Sequence, residues 1–221
     1  MDVPVGRELS ATRGALPWTG LRLALASLLA VALLVGPAQQ LGHAQRVSSE
    51  KVSETVETLG TLYEILSRCR RSLPESTRWE IAEAVERGAR QHGYDPLFVQ
   101  ALVEVESTCS PTAKSHKGAL GLIQLRPSTA RAVAKDAGLP WTGNERLLEP
   151  HYNVQLGLRY LSQLEKRFGD PKTAIAAYNM GPTRVARLGK KRVRNSGYVR
   201  RVLGRYQALL AEQAALAGRN T

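Results

Sequence analysis

A carboxyl group set into an apolar surface keeps its proton to higher pH than one in water, and a carboxylic acid held neutral near pH 7 is what general acid catalysis requires. Glu106 is placed to be such a group. The segment from Asp95 to Glu106 opens with Asp95, which suits an N-cap, and Pro96, which suits the first helical position. At about 100° per residue, Phe98, Leu102, Glu106, Val99 and Val103 fall along one arc, and Gln100 and Glu104 point the opposite way. The pattern predicts that Glu104 faces solvent and that Glu106 faces the interior or a cleft. Two further clusters combine polar groups with glycine: Gly118-Ala119-Leu120-Gly121-Leu122-Ile123-Gln124, and Ala176-Ala177-Tyr178-Asn179-Met180-Gly181-Pro182. Neither contains an acid.

The elements that must position these groups are mostly helical. Val52, Val56, Leu59, Leu62 and Leu66 recur at spacings of three and four, which predicts a helix over 46–68 that packs on the rest or forms a short coiled coil. Ser72 to Ser76 breaks it. Ser76 or Thr77 can cap a second helix running to about Gln91 and ending at Gly93; the helix bearing Glu106 follows and stops before Pro111. Residues 110–126 read as a polar loop and a short extended or hairpin segment. Helices are expected from Pro127 to near Gly138, from about Pro150 to Phe168, and from Asp170-Pro171 through Ala177. Tyr178 to Pro182 reads as a sharp turn.

The chain has 221 residues, 31 basic and 19 acidic, for a net charge of +12. That excess calls for a polyanionic partner or surface. Arg7, Arg13 and Arg22 precede an uncharged run whose apolar core is Leu23 to Val35, followed by small residues at Gly36, Ala38, Gly42 and Ala44. This reads as an export signal cleaved after Ala38 or Ala44, with an uncleaved anchor as the alternative. The core is shorter than the roughly 20 residues a membrane span needs. Export places the protein in the periplasm or cell envelope and argues against genomic DNA as the polyanion. It also places Cys69 and Cys109, the two cysteines, where a pair readily forms a disulfide; two unrelated buried thiols are the alternative.

The order and spacing of Glu106-Ser107, Gly118 to Gln124, and Ala176 to Pro182 resemble the catalytic domain of soluble lytic transglycosylases, relatives of goose-type lysozyme. Asn153 to Leu161 and Tyr198-Val199 add to the resemblance, which runs from about Glu80 to Tyr206. It implies a mostly α, lysozyme-like fold with at most a very small β element. The expected organisation is 1–44 signal or anchor, 45–76 helix and linker, 77–210 catalytic domain, and 211–221 tail. It further implies that Glu106 protonates the glycosidic oxygen between N-acetylmuramic acid and N-acetylglucosamine. Glu106 then acts as base on the sugar's own 6-hydroxyl, which closes a 1,6-anhydro ring. Gln124, Tyr178, Asn179 and Tyr198 match substrate-contacting or cleft-lining positions of the family. Ser107 either contacts Glu106 or sugar, or simply ends its helix on backbone.

Ordinary glycosidases use two carboxylates about 5 to 9.5 Å apart. Asp95, Glu145, Glu149 and Asp170 sit at expected caps or loops, so a lone acid fits a reaction whose nucleophile belongs to the substrate. Two positions depart from the family. Ile123 stands where Met is usual, and an apolar packing against the sugar ring is expected to survive the change. Cys109 stands where an aromatic residue is common, and a tie to Cys69 would replace that anchor. His43, His92, His116 and His151 lack ligand spacing, so no metal and no cofactor is expected. The expected partners are peptidoglycan glycan strands and cell-envelope proteins, with a monomeric chain that meets membrane only through its N-terminus. Nine basic residues from Arg184 to Arg205, uninterrupted by acid, form either a solvated face or an attraction to acidic stem peptides or anionic lipid. They lack the interleaved aromatics of specific nucleic-acid binding.

Overall fold

The computed structural model describes residues 49–217; the expected signal or anchor over 1–44 lies outside them. The compact unit among the described residues begins at Ser53. The helices are α1 (49–69), α2 (Glu75–His92), α3 (Pro96–Ser107), α4 (Pro127–Asp136), α5 (Pro150–Phe168), α6 (Pro171–Met180), α7 (Pro182–Ala186), α8 (Lys190–Arg194) and α9 (Gly197–Ala217), with a 3₁₀ turn at Asn144–Leu148. The β content among the described residues is two isolated antiparallel bridges, Lys114 with Leu120 and Leu120 with Leu125. Among the described residues no helix is long and apolar enough to cross a membrane.

Helix α5 organises the interior because it is apolar on two sides. Val154, Leu158 and Leu161 join a large core with Leu62 and Leu66 of α1, Ile81 and Val85 of α2, Val99, Leu102 and Val103 of α3, and Val199 and Val202 of α9. Tyr152 and Leu156 point the other way and close a smaller core with Leu125, Val133 and Leu147. Two glycines let neighbours approach closely. A Cβ at Gly88 of α2 would sit 2.8 Å from Val154 Cγ1, and one at Gly157 of α5 would sit 2.0 Å from Ile123 Cδ1.

The local signals set α3 as expected. Asp95 caps it, its Oδ1 accepting from the Leu97 amide at 2.7 Å, and Pro96 follows. Elsewhere the boundaries differ from the sequence reading. Helix α2 begins at Glu75, not after a Ser76 or Thr77 cap, because the φ of −58° fixed by Pro74 already suits a helix start. Helix α6 continues through Tyr178 and Asn179 to Met180, so the expected turn is confined to Gly181, whose φ of 86° ends the helix. The buried run Thr173 to Ala177 carries the helix that far. At the other end α9 passes residue 210 and reaches Ala217.

The expectation that Glu104 faces solvent is overturned, on the side of α3 that it shares with Gln100. Gln100 is fully buried, and the Glu104 side chain is only 13 % exposed. Helix α9 packs along that side of α3 and supplies Arg205, whose Nε meets Glu104 Oε2 at 2.5 Å. Arg205 also meets Glu212, which in turn reaches Arg68 of α1. Periodicity shows one apolar arc on α3; it does not show that a later helix covers the opposite face with a matching cation.

Candidate active site

Glu106 lies in the last turn of α3, part-buried, with the apolar face of that helix beneath it. Tyr198, in the first turn of α9 and 6 % exposed, donates its hydroxyl to Glu106 Oε1 at 2.5 Å. Burial is the largest influence on the acid and pushes its pKa up to about 7. The Tyr198 hydrogen bond and the charge of Arg201 oppose that rise without cancelling it. Glu106 therefore carries its proton over much of the range up to neutrality. Burial, and then the nearby carboxyl, push the Tyr198 hydroxyl well above its ordinary value, so it remains a donor.

The loop 113–125 is held against α5 by one side chain. Asn153 is completely buried; its Nδ2 donates to the carbonyls of Leu120 and Leu147, each at 2.9 Å, and its Oδ1 accepts from the Ile123 amide at 2.9 Å. Gly121, with φ at 79°, is needed where the loop turns past it, because a Cβ there would lie 2.1 Å from the Leu147 carbonyl and 2.3 Å from Asn153 Nδ2. Tyr178 braces the same loop from α6, donating its hydroxyl to the Ile123 carbonyl at 2.8 Å while its ring lies 5.6 Å from that of Tyr160. Burial first, and the charge of Glu106 second, push the Tyr178 hydroxyl well up.

The remaining predicted residues are placed less uniformly. Gln124 is part-buried with φ at 50°, and its Nε2 donates to the carbonyls of Gly121 at 2.9 Å and Ala113 at 3.2 Å. Its amide nitrogen is thus committed inside its own loop. Ser107 donates to the Val103 carbonyl at 3.0 Å, which is the helix-ending alternative. Asn179 is exposed at the end of α6. Ile123 is fully buried against Gly157 and presents nothing to a sugar, which corrects the expectation of ring packing there.

Behind the acid, Cys69 and Cys109 form a disulfide that ties the end of α1 to the residues just after α3. Among the described residues Cys69, Glu104 and Cys109 are the one grouping close enough for a metal. Its sulfurs are bonded to each other and its carboxylate is held by Arg205. Three other acids near helix ends are engaged elsewhere. Asp95 caps α3 and accepts from Tyr206, Glu149 pairs with Arg146, and Asp170 caps α6 and pairs with Arg194.

Residues 83–199 match the family described as the transglycosylase SLT domain, which is more than half the chain. The chain belongs to that family. It is 40% identical over 91 residues to a putative soluble lytic murein transglycosylase of Haemophilus influenzae, an alignment covering 41% of this chain and 15% of that protein. The fold is similar to that of an inactive mutant of lytic transglycosylase Slt from Pseudomonas aeruginosa. That similarity has a TM-score of 0.52 at 30% identity and covers 60% of this chain and 24% of that one. The 70 kDa soluble lytic transglycosylase of Escherichia coli shares the fold, with a TM-score of 0.52 at 24% identity over 71% of this chain and 30% of that one. The mostly helical, lysozyme-like architecture expected from the sequence is the one found. The match spans about a seventh of the length of the Haemophilus influenzae relative.

The roles of two side chains central to this arrangement are not legible in the sequence. Asn153 was visible as a lone amide on a helix that is otherwise apolar where it faces the core, but its three bonds depend on how the loop folds back. Arg201 was seen only as one of a basic run; nothing local ties it to an acid 95 positions earlier.

Proposed function

We propose that this chain is a peptidoglycan lytic transglycosylase with Glu106 as its single acid and base. The observation that carries the reading is one part-buried carboxyl, with its pKa pushed up to about 7 and bonded to Tyr198, whose other charged influence is an arginine. In the first step Glu106 gives its proton to the glycosidic oxygen as the muramyl C1–O bond breaks. The resulting carboxylate accepts the proton of the 6-hydroxyl as that oxygen bonds to C1. The 1,6-anhydro ring closes, Glu106 regains its proton, and no water is consumed. Burial favours the neutral state needed at the start, and the Tyr198 hydroxyl steadies the carboxylate formed midway.

The other roles follow from the bonds each residue has left. Tyr178 and Asn153 hold the 113–125 loop against α5 and α6. Gln124, with its nitrogen committed, offers Oε1 to a sugar hydroxyl, and exposed Asn179 offers its amide. The basic N-terminal flank and apolar core of residues 1–44 support export to the cell envelope. The test is digestion of purified wall sacculi with the wild type and Glu106→Gln side by side. Wild type is expected to release anhydro-muropeptides and Glu106→Gln none. Reducing muramyl ends would make the protein a hydrolytic muramidase, and unchanged turnover by Glu106→Gln would remove the acid from the mechanism.

A further inference from the structure

Arg201 stands in the first turns of α9, one helical turn after Tyr198, with its guanidinium carbon 5.9 Å from the centre of the Tyr198 ring. Its charge acts on both Glu106 and Tyr198, which are bonded to each other at 2.5 Å. The side chain is exposed. Arg200 folds toward the same place: a Cβ at Gly197 would have Arg201 Nη1 at 3.7 Å and Arg200 Nη2 at 4.0 Å. Arg200 also donates to the Asn195 carbonyl, which fixes that neighbour.

Arg201 differs from Arg194 and Arg205 in having no anion of its own. Arg205, one turn on, is held by Glu104 and Glu212, and Arg194 is held by Asp170. Among the described residues Arg201 forms no ion pair. A guanidinium presents several donors in a fixed plane that matches a carboxylate edge. An exposed cation whose charge reaches a proton donor that must itself stay neutral leaves a local positive field suited to an anionic group on the substrate. On a muramyl-containing strand the anions within reach of the scissile bond are carboxylates, either the lactyl carboxylate of a stripped sugar or those of an attached stem peptide.

We propose that Arg201 is a specificity-determining residue that binds a carboxylate of the strand beside the scissile bond and so makes the protein prefer acidic over uncharged strands. This rests on the glycan-cleaving reading above. The experiment measures kcat and KM of wild type, Arg201→Gln and Arg201→Lys on three substrates. These are strands with intact stems, strands stripped by an amidase to leave the lactyl carboxylate, and the same strands with carboxylates converted to amides. The ratio of kcat/KM on acidic to amidated strands is expected to fall about fivefold in Arg201→Gln, through KM. That is the upper end for an exposed ion pair, which suits an exposed guanidinium. Arg201→Lys should recover part of it. An effect that persists on stripped strands identifies the lactyl carboxylate; one seen only with stems identifies the peptide, and either supports the proposal. A parallel loss on acidic and amidated strands, with the pH profile displaced equally on both, would reduce Arg201 to a packing and electrostatic support for Tyr198 and overturn it. So would an unchanged ratio. Failure of the wild type to cut any strand would instead defeat the underlying enzymatic reading.

Discussion

Replacing Glu106 with Gln should stabilise this protein in alkaline solution, although it destroys the proposed chemistry. Burial raises the acid from 4.5 to about 7, so ionising it inside the fold is costlier than ionising it in the unfolded chain. The sign follows from proton binding. Between those two values the folded state holds the proton and the unfolded state releases it. Stability from this group is therefore fully present below about pH 4.5 and declines as pH rises to about 7. At about 1.4 kcal/mol for each tenfold change in proton affinity, the decline amounts to about 3 kcal/mol. Gln is neutral at every pH, occupies nearly the same volume, and can accept the Tyr198 hydroxyl through its amide oxygen. Its Tm should match wild type near pH 4.5 and exceed it at pH 8.5 by about 6 °C, using the lower shift expected for a domain of this size. Thermal unfolding of both proteins, with the disulfide intact, at pH 4.5, 6, 7 and 8.5 gives the difference curve. A flat curve, or one in which Gln loses ground as pH rises, would refute the claim that the fold holds this carboxyl in its neutral form.

The same acid sets the rate profile: activity should fall as pH rises through about 7, because Glu106 loses the proton it must donate. Tyr198→Phe removes a hydrogen bond that favours the carboxylate, so the alkaline limb should move to higher pH while kcat drops about tenfold; an unmoved limb would detach Tyr198 from the acid. Asn153→Ala should cost about 3 kcal/mol in urea unfolding, since it strands the buried carbonyls of Leu120 and Leu147 and the Ile123 amide. Gly157→Ala drives a methyl into Ile123 Cδ1 and should cost about 2 kcal/mol and impair turnover together. Opening the Cys69–Cys109 bridge, which spans 40 positions, should lower stability by about 4 kcal/mol in the chain-entropy view.

Much of the site could be read from local chemistry. The cap formed by Asp95 and Pro96 fixes where α3 starts, and the start fixes that Glu106 shares an arc with Phe98 and Leu102. Those constraints lie within a dozen residues of one another. The burial of Gln100 and Glu104 could not be read in the same way, because it arises from α9 docking across α3 with Arg205 in the right register. Arg201 and Tyr198 reach Glu106 through that same packing. The motif resemblance pointed to Tyr198, whereas Arg201 had no such signal. Ile123 was misplaced for a similar reason. Its apolar character is compatible with a sugar face or with a core, and only Gly157, far along the chain, reveals the gap it fills. The over-extended turn at Tyr178 to Pro182 was an error of weight: proline and glycine dominated the reading, and the buried alanines before them proved strong enough to keep Tyr178 and Asn179 helical.

The central claim is that the attacking oxygen comes from the sugar and the proton from Glu106. Digestion of wall strands in water enriched in ¹⁸O measures it most directly. The account predicts muramyl ends that carry no label and weigh one water less than the reducing form. Reducing ends bearing one ¹⁸O at C1 would contradict it.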